Sequence, residues 1–176
     1  MAASVRLPPE KAVDALLLAA LVMAGLAFVR EGPHFDNVVE GWRFFTSAFF
    51  SGMIVGFVGW TLGFGVTPQF SLSGVHRRPW LAALVLGIAA ASAASYLNRT
   101  FATPAGPAIA ADIQSLEEGR GDRWHITVKL PDGRYQRYLI PKDAATALQG
   151  EKSVRLGVAH GMLGFDFVSE FEPIRP

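Results

Sequence analysis

The stretch from Phe44 to His76 contains no Asp, Glu, Lys or Arg. A helix of that length in a water-soluble protein needs a charged face, so lipid is the solvent that this stretch suits. Two further stretches behave alike. Pro79 to Asn98 carries no formal charge, and Ala12 to Val29 is interrupted only by Asp14. A bilayer core about 30 Å thick is crossed by roughly 20 apolar residues in a helix. The pattern therefore predicts three transmembrane helices, at about 9–29, 44–66 and 79–97. Charged residues make up 18 % of the 176 positions, against about 25 % in ordinary soluble domains. Arg6 and Lys11 before an apolar run, with Gly25-Leu26-Ala27 after it, have the outline of a secretory signal. Pro8-Pro9-Glu10 instead reads as a helix start with an acid at the positive end of the dipole. That favours a full span over a shorter signal core.

Lipid provides no hydrophobic drive for helices to associate, so close backbone approach through small residues has to do it. Gly52, Gly56, Gly59 and Gly63 recur at spacings of four, three and four, on one face of the second span in the manner of a glycine zipper. Ala83, Gly87, Ala91 and Ser95 repeat every four residues on the third, and Ala20 and Ala24 offer the same on the first. These faces are expected to pack on one another within the bundle, with self-association or a partner's helix as the other use. Trp42, Phe44 and Phe45 open the second span and Trp80 opens the third, where aromatic rings suit the headgroup level. Arg77 and Arg78 lie in the second loop, beside His76 and no acid. With Arg6 and Lys11 they make four basic residues on one side, against Arg30, Arg43 and Arg99 on the other. The excess predicts a cytoplasmic N-terminus and an external C-terminal domain.

From Asn98 onward the chain holds ten basic and ten acidic residues out of totals of 16 and 15. A boundary near residue 98 follows: a membrane domain over 1–97, a linker over 98–107 built on Thr103-Pro104-Ala105-Gly106-Pro107, and a small soluble β-domain over 108–176. A first strand is expected near Ala108–Leu116. Arg123–Leu130 alternates, with Trp124, Ile126, Val128 and Leu130 on one face. Pro131-Asp132-Gly133 signals a hairpin turn into Arg134–Ile140. Lys142–Leu148 reads as a short helix closed by Gly150, and Ser153–Ala159 and Phe165–Phe171 as a further pair around His160-Gly161-Met162-Leu163-Gly164. Five short strands predict a small barrel or rolled sheet. The plan resembles small bacterial membrane proteins that carry a soluble β-barrel after a few helices.

Recognisable chemistry is sparse. The chain has no cysteine, which excludes disulfides, thiolate metal sites and thiol catalysis. Its net charge of +1 is too balanced for a nucleic-acid binder. His34, His76, His125 and His160 lack companions at metal-ligand spacing, apart from His34 with Asp36 two residues on. His125 is expected to face water and His160 to belong to a turn. No nucleotide-binding loop, nucleophile elbow or H-E-x-x-H occurs. Glu117-Glu118 and Arg120-Gly121-Asp122 read as a solvated loop, and the Asn98-Arg99-Thr100 glycosylation pattern sits at the membrane edge. Asp14, in the first turn of its span, is expected to cap or sit at the interface rather than to relay protons. No cofactor is expected. These features point to a non-catalytic bacterial inner-membrane protein, an accessory or assembly subunit whose β-domain binds a protein partner. A membrane immunity protein against a membrane-targeting toxin is the alternative, with a membrane enzyme or transporter behind both.

Overall fold

The computed structural model describes residues 10–64, 77–104, 106–119 and 123–174. Arg6, Pro8, Pro9, the last two residues of the second expected span (Gly65 and Val66), His76, Ala105 and Arg120-Gly121-Asp122 lie outside the described residues. Three long helices come first: α1 (Glu10–Phe35), α2 (Gly41–Phe64) and α3 (Arg78–Thr100). At 1.5 Å per residue they are roughly 34–39 Å long. Each is long and apolar enough to cross a membrane, and the chain is a membrane protein. Two compact units result. One consists of Thr46–Ala93 with the residues up to Arg30, the other of Glu31–Phe45 with the residues from Ala94 on.

In the first unit the large apolar side chains point outward. Leu16, Met23, Ile54 and Val55 are all exposed, and Leu62 is 80 % exposed. A water-soluble helix would bury them; a helix in lipid has no reason to. Burial is confined to narrow lines of mostly small residues, with Leu17 and Ala24 seven apart on α1 and Ala83 and Ala91 on α3.

The second unit is built on an antiparallel sheet. After α3 come β1 (Thr103–Pro104), β2 (Ile109–Glu118), β3 (Trp124–Lys129), β4 (Tyr135–Ile140), the short helix α4 (Lys142–Leu148), β5 (Ser153–His160) and β6 (Asp166–Pro173). The strands run β4-β3-β2-β5-β6, and β1 follows β2 along the same edge of β5. The segment expected as a linker is therefore helical to Thr100 and paired with His160 and Ala159 at Thr103–Pro104. Register breaks between Ile113 and Ser115 on β2, and between Gly157 and Val158 on β5, mark bulges. Bulges increase local twist, and the sheet curls into a half-barrel. Alternate residues fill its concave side: Ile126 and Val128, Tyr138 and Ile140, Val154 and Leu156, with Val168 opposite and Ala145 and Leu148 from α4. Trp124 and Leu130, expected on the same face as Ile126 and Val128, pack against this core partly buried. The β3–β4 hairpin closes on Pro131-Asp132-Gly133, with Leu130 N–H to Arg134 O at 2.8 Å. Gly133 takes φ 84°, a left-handed conformation that suits glycine there.

The α1–α2 connection completes this unit. Val38 pairs with Phe167, with Val39 N–H to Asp166 O at 2.7 Å and Val168 N–H to Asn37 O at 2.9 Å. The Asn37 side chain reaches the opposite edge of the sheet. Its Nδ2 donates to Leu139 O at 2.8 Å and its Oδ1 accepts from Leu139 N–H at 2.7 Å. One three-residue segment thus hydrogen-bonds to both β6 and β4, the two edges that the curl leaves open. An open edge is a row of unpaired backbone groups, and an asparagine amide satisfies one donor and one acceptor as a strand neighbour would.

Candidate functional site

The small-residue faces divide. Gly52 and Gly56 are buried against α3. A Cβ added at Gly56 would lie 2.6 Å from Ala82 O and 2.9 Å from Ala83 Cα, and one at Gly52 would lie 2.6 Å from Ala90 Cβ and overlap Leu86 O. Gly87 is equally tight against Phe49 and Met53. Ala83, Ala91 and Ser95 are buried. A Cβ at Gly59 or Gly63 would meet nothing within 4 Å, so the close approach involves only half of the α2 stripe. Trp42 is exposed at the start of α2, and Trp80 packs on Phe57 at 4.8 Å. Arg77 and Arg78 both reach Asp14, at 3.2 and 2.8 Å.

In the second unit the polar residues of one cavity are committed to structure. This cavity, of about 410 Å³, is lined by His34, Asn37, Ser95, Asn98, Arg99 and Phe167 among others. Asn98 is 1 % exposed. Its Nδ2 donates to Phe165 O at 2.9 Å, and its Oδ1 accepts from Leu163 N–H at 3.0 Å. It thereby holds the tip of the β5–β6 hairpin, and its burial removes it as a glycosylation acceptor. Gly161 leaves room for it: a Cβ there would overlap the Asn98 amide. Glu31, buried on α1, accepts from Ser95 Oγ and Arg99 Nη2, both at 3.3 Å. A buried carboxylate needs such partners.

A second cavity, at the mouth of the half-barrel, is different. It measures about 370 Å³, within the roughly 300–1,000 Å³ usual for ligand sites. Aliphatic groups dominate its walls: Val39, Ile109, Leu130, Leu156, Val158 and Val168. Asp132, Arg134, Gln136 and Asp166 supply polar groups. Asp132 and Arg134 are already engaged with each other at 2.6 Å. The Arg134 backbone N–H, 3.0 Å from Asp132 Oδ1, and then its guanidinium hold the Asp132 carboxyl below the usual carboxylate range.

Tyr138 is the distinctive group in this wall. Its side chain belongs to the buried core, and its ring lies 5.9 Å from Phe171. Burial pushes the phenol up to about 12 from an ordinary 10.0. The unfolded chain loses this proton first, so the neutral phenol supports the fold fully below pH 10, and that support is lost as pH rises through about 12. Two pKa steps are worth about 2–3 kcal/mol. Denaturant melts of the wild type, followed by tryptophan fluorescence, are expected to lose that much more between pH 10 and 12 than melts of Tyr138→Phe.

The histidines do not assemble. His160 Nδ1 lies 2.6 Å from Asp166 Oδ1 across the β5–β6 pair, at the end of its strand. His125, expected to face water, has a buried Nδ1 without a partner among the described residues. Among the described residues no group of three or more His, Asp or Glu could hold a metal ion. Sequence reading passed over Asn37 and Tyr138 and took Asn98 only as part of a glycosylation pattern. The available signal was a tyrosine at an inward register position of an alternating strand, where its polar tip needs a partner. The two asparagines carry no local signal, because their partners are 102 and 67 residues away. No protein-family model, curated protein or solved structure matches the chain.

Proposed function

We propose that this chain is a non-catalytic bacterial inner-membrane protein, an accessory or assembly subunit whose β-domain binds a protein partner at the membrane surface. The cavity at the half-barrel mouth carries the reading. Aliphatic walls beside the Tyr138 ring suit an apolar side chain of a partner's peptide segment. The ion pair of Asp132 with Arg134 leaves the rim polar but self-satisfied, as the border of a binding surface tends to be. The N-terminus lies in the cytoplasm and the β-domain outside, following the basic excess of Arg6, Lys11, Arg77 and Arg78.

A photo-reactive residue at Gln136, which lines the cavity, is expected to yield one discrete protein adduct in intact cells. The same probe at Glu117, on β2 and outside the cavity lining, is expected to yield none. Ile109→Trp, placed at the partly open wall, is expected to abolish the Gln136 adduct while the β-domain melts normally. An adduct indifferent to Ile109→Trp, or no adduct at all, refutes the reading. A cysteine placed at Pro131 and labelled by an impermeant reagent on intact cells tests the sidedness.

A further inference from the structure

The membrane unit contains a cavity of its own, between α1 and α3, of about 590 Å³. Asp14, Ala15 and Leu18 line it from α1, and Arg77, Trp80, Leu81 and Leu84 from the start of α3. Its lining has two characters. Ala15, Leu18, Leu81 and Leu84 make an apolar wall of the kind an acyl chain lies against. At its polar end Asp14 is shared by two guanidiniums, Arg78 Nε at 2.8 Å and Arg77 Nη2 at 3.2 Å. The Arg78 side chain is 10 % exposed, whereas that of Arg77 is 45 % exposed. Asp14 fixes Arg78 in place and holds Arg77 by one nitrogen, leaving the rest of that planar, multi-donor head open to a second acceptor. Trp80 stands between the charged end and the apolar wall, where an amphipathic ring marks the headgroup level.

We infer that this groove binds one anionic phospholipid, its phosphate on Arg77 and an acyl chain along Leu18, Leu81 and Leu84. Charge selects the headgroup. A zwitterionic lipid brings its own cation to a site that already holds two, while an anionic lipid adds none. The apolar wall selects a lipid over free phosphate, which would leave the larger part of the lining without a partner. Basic pockets between membrane helices recognise anionic headgroups on the same physical basis.

The test uses the full chain purified in detergent. Phosphatidylglycerol is expected to remain bound at one molecule per chain in native mass spectrometry and to raise the unfolding temperature. Phosphatidylcholine of the same chain length, and inorganic phosphate, are each expected to do neither. Arg77→Gln leaves the Arg78–Asp14 pair in place and is expected to weaken phosphatidylglycerol about fivefold, the effect of roughly one basic residue at a membrane surface. Arg137→Gln, on β4 of the other unit, is expected to change nothing. Equal retention of the two lipids by the wild type overturns the assignment without reference to any variant. Phosphate alone reproducing the thermal shift, or undiminished lipid binding by folded Arg77→Gln, overturns it as well.

Discussion

Replacing Gly56 with leucine is expected to lower the stability of the membrane unit by about 3 kcal/mol, the upper part of the range for overpacking a tight contact. The first added carbon would already lie 2.6 Å from Ala82 O and 2.9 Å from Ala83 Cα. Both are backbone atoms, so no rotamer change of a neighbour relieves the overlap, and α2 and α3 must separate. Separation removes the dispersion contacts that hold helices together in lipid, where no hydrophobic force compensates. Gly59→Leu is the matched control: it adds the same side chain on the same helix, into open space. Thermal unfolding in detergent is expected to separate the two variants clearly, with Gly59→Leu near the wild type. Equal midpoints for both would show that Gly52 and Gly56 do not seat α3.

Asn98→Ala is expected to cost about 2–3 kcal/mol and to loosen the β5–β6 tip. The substitution removes the donor to Phe165 O and the acceptor for Leu163 N–H from a side chain 1 % exposed. Each backbone group left unsatisfied in a buried setting costs about 1–3 kcal/mol, less where water can reach it. Leu163 lies near the surface, so the Phe165 carbonyl should account for more of the loss. Asn98→Asp keeps the acceptor for Leu163 but sets a carboxylate oxygen against the Phe165 carbonyl at a buried site, so its stability is expected to fall at least as far as that of Asn98→Ala. Hydrogen exchange at Leu163 should quicken in Asn98→Ala. Unchanged exchange in Asn98→Ala would refute the clamp.

The α1–α2 connection shows where local reading stops. Asp36-Asn37-Val38-Val39-Glu40 reads as an ordinary loop between two spans. Nothing within it announces a partner at Leu139, because the pairing exists only once the sheet has curled enough to bring β4 and β6 to either side of Asn37. The glycine stripe makes the same point in reverse. Its spacing places four glycines on one face, but the spacing alone cannot say how far α3 runs along that face.

Three membrane helices and a strand-rich C-terminal domain could be read from the residue order alone, because both depend on properties repeated along the chain. An uncharged run of spanning length has one comfortable solvent, and alternation with a Pro-Asp-Gly turn has one comfortable local geometry. The short helix at Lys142–Leu148 was equally plain. Tertiary structure alone decided which glycines touch, which asparagines clamp, and that Tyr138 lines a cavity. Those features depend on single contacts between residues far apart in the chain, and distance along the chain leaves no periodic trace of them.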